Sequence, residues 1–313
     1  MKTSVFAKLA FFACLALMLA GFSAASFADI TVTSAAELYA LKGQYVMENV
    51  TIQAGTYDMT GYTDWEPVAL LDEGYSINGN GAVIKGIDCL IVNNKGTVRD
   101  ITVKLPASFT ANEDIGVFAD DNQAEGTIER CVVEGPSCFT PTGFHNAGGI
   151  AGDNFGLIRE CLVKDLDFTW TGQDEIGGIA GYNAGTVEYC SVSGVDITNT
   201  AGNTNGYSTF IGFIVGQNEG GTINGCSADN CSVSTDKGNA GGIAGYVHDG
   251  SQISNCRVID SDVIKTSGNG FAGGLFGMVE HDGSDTPLTS ISSCYIAGKK
   301  TVGKQEGPLG PEH

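Results

Sequence analysis

The sequence is poor in basic residues: 16 Lys and Arg stand against 36 Asp and Glu in 313 residues, which gives a formal net charge of −20. This charge repels nucleic acid and anionic lipid, so neither is expected as a partner. After the N-terminal leader, no apolar run reaches the roughly 18 residues that a membrane-spanning helix needs. The sequence therefore predicts a soluble, acidic protein without a membrane span.

The common motifs of catalytic and metal sites are also missing. The chain has no C-x-x-C pair, no D-x-[DN]-x-[DN]-G loop, no H-E-x-x-H and no G-x-S-x-G. Zinc-finger spacing, an EF-hand, a zincin centre and a hydrolase nucleophile elbow are thereby excluded. We predict no catalytic, cofactor-binding or metal-binding residue and no cofactor, with calcium as the alternative that the acidic charge would suit.

Residues 1–28 have the pattern of a cleavable signal peptide. Lys2 and Lys8 precede the apolar run 9–19, and Ser26-Phe27-Ala28 ends in the small residues that signal peptidase requires. The expected location of the mature chain is therefore secreted or on the cell surface.

Internal repeats dominate the remainder of the chain. Six cysteines recur at spacings of 29 to 38 residues, and most follow a box such as Gly177-Gly178-Ile179-Ala180-Gly181. Between the boxes lie short β-branched runs of alternating polarity, which indicate strands rather than helices. The period predicts an all-β solenoid with three strands in each coil. The cysteines are Cys131, Cys161, Cys190, Cys226, Cys256 and Cys294.

Alignment on the cysteines places similar residues at equal offsets, as stacked coils require. The position two residues after each cysteine is aliphatic, and the position seven residues after it is apolar. The alignment continues upstream through Ile84–Ile87–Cys89 and Val98–Ile101–Val103. The first position holds Val133, Val163, Val192, Ala228, Val258 and Ile296; the second holds Cys138, Phe168, Ile197, Val233 and Val263.

The repeated cysteines are expected to form a structural ladder of buried thiols, because a small apolar side chain suits the inside of a narrow coil. Disulfides between neighbouring coils are the alternative, since strands about 4.8 Å apart bring the Cα atoms within range. Parallel Cβ directions make the disulfide dihedral unfavourable, and an odd number of mature cysteines leaves one unpaired.

The segment after the leader is predicted to cap the first coil. Ser34-Ala35-Ala36-Glu37 is a capping box that opens a short helix ending by Gly43. Asn78-Gly79-Asn80-Gly81 predicts tight turns between two strands. We therefore divide the chain into a signal peptide (1–28), a cap with the first coils (29–113), the main repeats (114–297) and a disordered tail (298–313).

The box at 177–183 followed by Gly185-Thr186-Val187 and Cys190 resembles the GLUG repeat of bacterial exported and surface proteins. The segment 64–68 and the turn 78–81 are similar to the stretch that precedes such repeats. The resemblance spans about residues 50–297 and implies a right-handed parallel β-helix of the pectin-lyase-like kind. Such helices occur in adhesins, in large surface proteins and beside peptidase domains.

Three pairs of carboxylates could serve an enzyme of this shape: Asp120 with Asp121, Asp165 with Asp167, and Asp174 with Glu175. A polysaccharide lyase or hydrolase needs paired carboxylates, often with a Lys or Arg. Only Lys164 lies near such a pair, and Asp residues are common in turns. His248 and His281 occupy similar turns of consecutive coils and are the candidates for a metal site.

Aromatic residues suggest a binding surface instead. Tyr189 should point outward and Phe168 inward, while Tyr182 and Tyr246 share one position and are expected to stack. We predict an exported, noncatalytic scaffold that binds a glycan or protein ligand in the manner of an adhesin. The alternative is a polysaccharide lyase or glycoside hydrolase. The oligomeric state is left open.

Overall fold

The computed structural model describes residues 29–109, 114–139, 146–170, 175–199, 209–236, 238–266, 270–280, 289–298 and 302–304. Its strands form three sheets of 22, 6 and 9 strands, and the strand pairings are parallel, each coil with the next. The fold is a right-handed parallel β-helix, as predicted. No helix of the described part of the chain is long and apolar enough to cross a membrane.

Sheet 1 takes up to three strands from each coil, so a coil contains more strands than the three that were predicted. Its strands are Ile30–Val32, Val50–Ile52, Thr56–Asp58, Ser76–Lys85, Thr97–Lys104, Ser108–Phe109, Thr127–Glu129, Val132–Phe139, Leu157–Arg159, Leu162–Trp170, Thr186–Glu188, Ser191–Ser193, Asp196–Asn199, Thr222–Asn224, Ser227–Asp229, Ser232–Thr235, Gln252–Ser254, Arg257–Ile259, Asp262–Lys265, Ser290–Ser292, Tyr295–Ala297 and Val302–Lys304.

Sheets 2 and 3 are separated by the glycine box of each coil. Sheet 2 contains Ile115–Gly116, Ala147–Gly148, Glu175–Gly177, Phe210–Gly212, Asn239–Gly241 and Ala272–Gly273. Sheet 3 contains Tyr45–Val46, Val68–Leu71, Ile91–Asn94, Ala119–Asn122, Ala151–Asn154, Ala180–Asn183, Val215–Asn218, Ala244–Val247 and Phe276–Val279.

The repeated cysteines lie where sheet 1 bends. The residue before each is in the left-handed region, from Arg130 (φ 51°) to Ser293 (φ 54°). This bend leaves little room inside the coil, which a thiol fills. Cys131 to Cys256 are buried, Cys294 in the last described coil is half-exposed, and all are free thiols. Burial raises the pKa of Cys161, so its thiol is neutral and unreactive.

Two parts of the cysteine alignment are wrong, because extra residues bulge out of the strands. The pairing of Val132–Phe139 with the next coil shifts between Glu134 and Ser137, so Phe139 and not Cys138 stands opposite Phe168. A second shift lies between Asn78 and Ala82. The first coil is therefore aligned as Ile77–Ala82–Ile84, instead of Ile84–Ile87–Cys89. The segment 78–81 lies within the single strand Ser76–Lys85 and does not form the predicted turns between two strands.

The predicted capping helix is shorter than expected, at Ala35–Tyr39. Ser34 accepts a hydrogen bond from the Glu37 N–H (3.3 Å), and Glu37 accepts one from the Thr33 N–H (2.6 Å). Leu38 is fully buried and closes the first coil. Inside the range 298–313, predicted as a disordered tail, Val302–Lys304 forms a strand on Asp262–Lys265, so the coil continues further than expected.

A ladder of buried asparagines closes the turn after sheet 3. Each side-chain amide donates to the amide oxygen of the next coil at 2.6–2.7 Å, and the last donates to Ser251 Oγ at 2.8 Å. An amide can stack on itself in this way because it carries both a donor and an acceptor. The ladder consists of Asn94, Asn122, Asn154, Asn183 and Asn218.

The second position of the glycine box shows how tightly the sheets pack. A Cβ built on Gly178 would lie 3.0 Å from a methyl carbon of Val192, and the corresponding distance from Gly242 to Val258 is 2.8 Å. Where Phe213 replaces this glycine, the valine position opposite holds Ala228, and both residues are fully buried. The larger side chain is thus accommodated by a smaller one across the coil.

We expect Asn154→Ala to destabilise the protein by about 2–4 kcal/mol, because the variant leaves the amide groups of two neighbouring coils without partners. Asn94→Leu should cost half as much or less. The amide oxygen of Asn94 already lacks a partner, and the coil before it has Leu71 at this position. Urea unfolding measures both; equal costs would show that the ladder is not the source of stability.

The pair Phe213 and Ala228 should be energetically coupled. We expect Ala228→Val to cost about 1–3 kcal/mol through overpacking and Phe213→Gly to cost about 3–5 kcal/mol through the lost ring. The double variant recreates the Gly–Val pair of the other coils and should be more stable than the sum of the single effects predicts. Exposed Ala184→Val is the control in urea unfolding, and additive costs would contradict this packing.

Candidate functional site: the corner groove

Two outward-facing columns of side chains flank the glycine box. One column, at the start of sheet 2, stands two residues before the first glycine of the box; the other, in sheet 3, directly follows the box. The sheet 2 column is Asp114, Asn146, Glu175, Phe210, Asn239 and Phe271, and the sheet 3 column is Asp121, Asp153, Tyr182, Gln217, Tyr246 and Met278. We call the surface between them the corner groove.

Side chains of the two columns contact each other across the corner. Within one coil, Asn146 Nδ2 of the sheet 2 column donates to Asp153 Oδ1 of the sheet 3 column at 2.6 Å. The Phe210 and Tyr246 rings stack with their centroids 4.5 Å apart. Outward side chains of two sheets can meet only where the surface between the sheets is concave, so this corner is a groove.

The last glycine of the box makes the concave corner. A Cβ on Gly245 would lie 2.2 Å from the Ile211 backbone nitrogen, and a Cβ on Gly216 would lie 2.5 Å from that of Ile176. Backbone therefore packs on backbone where the outer faces of sheets 2 and 3 approach each other. In these two coils a side chain at this position would force the sheets apart, whereas the first box has Asp120 there.

One end of the groove is acidic, and its carboxyl groups are reluctant to ionise. Burial raises the pKa of Glu175 to about 7, and the carboxylates of Asp153 and Asp114 add to the rise. Burial raises the pKa of Asp153 to about 6, against the hydrogen bond from Asn146, which lowers it. The pKa of Asp121 is raised by burial and by Asp114.

These carboxylates differ from those columns of sheet 1 in which acids alternate with bases. Glu134 lies between Lys104 and Lys164, each 2.7 Å away, and these hydrogen bonds lower its pKa. Neither column of the corner groove contains a Lys or Arg. Within the described residues, no Lys or Arg forms an ion pair with Asp153 or Glu175.

The groove can accept hydrogen bonds, present aromatic faces and exchange protons near neutral pH. Carboxylate and amide oxygens accept from hydroxyl groups, and the rings of Tyr182 and Phe210 offer apolar surface. Carboxyl groups with a pKa of about 6–7 can act as acid or base. In the part of the chain that is described, no three acidic, His or Cys side chains converge closely enough to hold a metal ion.

The structure brings together some of the predicted carboxylates. Asp121 and Glu175 lie in the groove, whereas Asp120 sits behind it with Oδ1 3.3 Å from Cys89 Sγ, where burial raises its pKa to about 7. Asp165 and Asp167 are exposed on sheet 1, away from the groove, and Asp165 is a left-handed bend residue (φ 57°). Asp174 lies outside the described residues.

The predicted histidine pair is not assembled in the described part of the chain. His248 lies beside the groove, with Nδ1 3.4 Å from Glu219 Oε1 and its ring 6.0 Å from that of Tyr246. His281 lies outside the described residues, as does the leader.

The aromatic predictions have mixed outcomes. Phe168 points inward and is buried, and Tyr189 is 57% exposed, but on sheet 1. Tyr182 and Tyr246 do not stack, because the coil between them places Gln217 in that column. Tyr182 instead contacts Phe155, with ring centroids 5.8 Å apart.

Most of the groove was not predicted from the sequence, because carboxylates were paired when they are adjacent in sequence and not when they lie in adjacent coils. Asp121 and Asp153 stand directly opposite each other in adjacent strands although they are far apart in sequence. Alignment on the glycine box, instead of on the cysteine, would have placed both in one column. That signal was present in the sequence.

Comparison with protein families agrees with the predicted repeat. Residues 173–198 match the family model described as the GLUG motif. The chain carries a GLUG motif. The matched residues include Glu175, the glycine box, Tyr182 and the bend at Cys190, so the motif covers the contribution of one coil to both columns of the groove.

Comparison with solved structures identifies other β-helices. A Bacteroides ovatus protein provisionally named an immunoglobulin A1 protease is 20% identical, with a TM-score of 0.52 over 87% of this chain and 84% of that one. The A-module of a mannuronan C-5 epimerase from Azotobacter vinelandii is 14% identical, with a TM-score of 0.25 over 90% and 96%. The first similarity shows the fold alone. No curated protein sequence matches.

We expect Glu175 to make the protein less stable as the pH rises. Because its pKa is raised from 4.5 to about 7 on folding, its contribution is complete below pH 4.5 and is lost as the pH rises through about 7. Glu175→Gln should therefore match the wild type near pH 4 and exceed it near pH 8 by roughly 1–3 kcal/mol. Urea unfolding at both pH values measures this.

Glu134→Gln is the matched control with the opposite sign. The pKa of Glu134 is lowered, so its contribution is present above pH 4.5 and is lost as the pH falls through the folded value. This variant should be less stable than the wild type near pH 8. If Glu175→Gln also lost stability near pH 8, ionisation of the buried Glu175 carboxyl would not destabilise the fold, and the prediction would be wrong.

Proposed function

We propose that this chain is an exported β-helix that binds an extended glycan without acidic groups along the corner groove. The observation that carries the proposal is the corner groove itself. Acidic and aromatic side chains line it, and its two columns contain no Lys or Arg. The signal peptide predicted at residues 1–28 supports a location outside the cell or on its surface, and an adhesin-like role is part of the proposal.

The dimensions and charge of the groove support this class of ligand. Six coils contribute to the two columns, and strands lie about 4.8 Å apart, so the groove is about 24 Å long. That length suits an extended chain better than a single ring. The net charge of −20 repels polyanions, whereas sugar hydroxyls can donate to the carboxylates and the sugar rings can stack on aromatic faces.

A screen of the purified mature chain, residues 29–313, against immobilised neutral, amino-sugar and acidic glycans tests the proposal. We expect binding to chains without acidic groups, and we expect Tyr182→Ala to weaken it at least about tenfold, because one stacking ring is lost. Tyr189→Ala is the matched control, since this exposed tyrosine lies on sheet 1. Binding that depends on Tyr189 and not on Tyr182 would contradict the groove.

Glycoside hydrolysis is the second candidate, because two carboxyl groups of the groove differ in pKa. Near pH 7, Asp153 (about 6) is mostly ionised, while Glu175 (about 7) is half protonated and could donate to a leaving group. Lyase chemistry has less support, since the groove columns contain no Lys or Arg to neutralise a uronate.

The same screen separates binding from hydrolysis when soluble products are also measured. Hydrolysis predicts product release that Glu175→Gln abolishes while ligand binding persists. Binding without product supports the noncatalytic scaffold. Product release that is unchanged in Glu175→Gln would contradict the assignment of this residue as the acid.

A further inference from the structure

A separate cavity lies near the N-terminal end of the β-helix, beneath the loop that follows Thr56–Asp58. Its volume is about 340 Å³, which is within the usual range for small-ligand sites. Aromatic, hydroxyl and carboxylate side chains line it together. The principal lining residues are Met59, Tyr62, Thr63, Trp65, Asp88 and Pro106.

The aromatic walls of this cavity are held in place. The Trp65 indole N–H donates to the Cys89 carbonyl at 2.9 Å, which fixes the ring although it is only half-buried. Tyr62 stacks on Tyr39 with centroids 4.7 Å apart, and the Tyr39 hydroxyl donates to Asp64 at 2.7 Å. A ligand would meet rings that lose little freedom on binding.

The backbone at Gly86 lies below the loop and allows Thr60 of the loop to pack directly against it. Gly86 has φ +82°, and a Cβ on it would lie 2.7 Å from the Thr60 methyl carbon and 3.0 Å from the Thr60 nitrogen. Asp58 fastens the start of the loop by accepting hydrogen bonds from the Thr60 N–H and hydroxyl at 3.1 and 2.6 Å. The cavity is therefore built into the fold.

The polar groups of the cavity define its ligand. Asp88 Oδ1 accepts the Cys89 N–H at 2.9 Å, and the second oxygen of this carboxylate is available to accept from a ligand. Among the described residues that line the cavity there is no Lys or Arg, so an anionic ligand would be repelled. Two aromatic faces beside one carboxylate suit a neutral ring that has an apolar face and hydroxyl donors.

The cavity continues the corner that forms the groove. Val68 stands opposite Ile91, and Asn93 in the following coil stands opposite Asp121 of the groove. The sheet 3 column of the groove therefore continues through Asn93 to Leu70 in the two preceding coils, and Trp65 and Asp88 each stand three residues before these strands.

We propose that the Trp65–Asp88 cavity binds a single neutral sugar ring and forms the N-terminal end of the glycan-binding surface. The choice of ligand class rests on the proposed function, whereas the cavity itself can be tested alone. In this site Trp65 stacks on the apolar face of the sugar, and Asp88 accepts from its hydroxyls.

Trp65 fluorescence provides the test, because the chain has only two tryptophans. In a Trp170→Phe background, Trp65 is the single reporter, and methyl glycosides of glucose, galactose, mannose and N-acetylglucosamine are titrated to about 100 mM. We expect a saturable change with at least one of them. Asp88→Asn should weaken that binding about tenfold through loss of a charged acceptor. Tyr45→Ala, an exposed aromatic away from the cavity, should not.

Failure of this inference and failure of the proposed function give different results. Tyr182→Ala should leave the binding of the single ring unchanged while it weakens the binding of the extended glycan. No saturable change with any glycoside, or equal affinity in Asp88→Asn, would overturn the cavity proposal even if the groove binds glycans. Circular dichroism of each variant verifies that it is folded.

Discussion

Hydrogen bonding between successive coils fixes each residue directly above its equivalent, so every column of side chains must tolerate contact with its own kind. This constraint explains which types of residue occupy most of the columns. Buried amides tolerate it because each is both donor and acceptor, as in the ladder that runs through Asn154. Thiols tolerate it because they are small and neutral. Charged side chains tolerate it when the sign alternates, as in the column Lys104–Glu134–Lys164, or when they are exposed to water, as Asp167 is opposite Asp196.

The corner groove breaks this rule. Asp121 stands opposite Asp153, and Glu175 lies near both Asp153 and Asp114, so acids face acids in a half-buried corner. Burial and like charge both oppose ionisation there, and folding would be easier with amides at these positions. Proteins usually depart from the rules of stability at functional sites. That departure is the physical reason to place the ligand in this groove and not on sheet 1.

The fold could be predicted from the sequence because stacking repeats the same requirement in every coil. The column that contains Val163, Val192 and Val258 was correct, since these residues share one register. The alignment failed where residues are inserted: around Pro136, which has no N–H for the sheet, and at 78–81. The groove was missed for another reason. Its side chains come from different coils, and their proximity depends on the corner that the glycine box makes.

The compensation between Phe213 and Ala228 extends this reasoning to the core. Backbone spacing along the helix axis is fixed by the hydrogen bonds, so a large side chain at the second box position needs room from another side chain. Ala228 provides that room for Phe213, whereas the smaller Val117 of the first box is buried while Val133 keeps the usual valine in the opposite column. A Cβ at the last glycine of the box would meet the backbone of sheet 2, and the first box, which has Asp120 at this position, is the exception. Where the glycine is present the corner is closely packed, and outward residues on either side of it can vary without moving the walls of the groove.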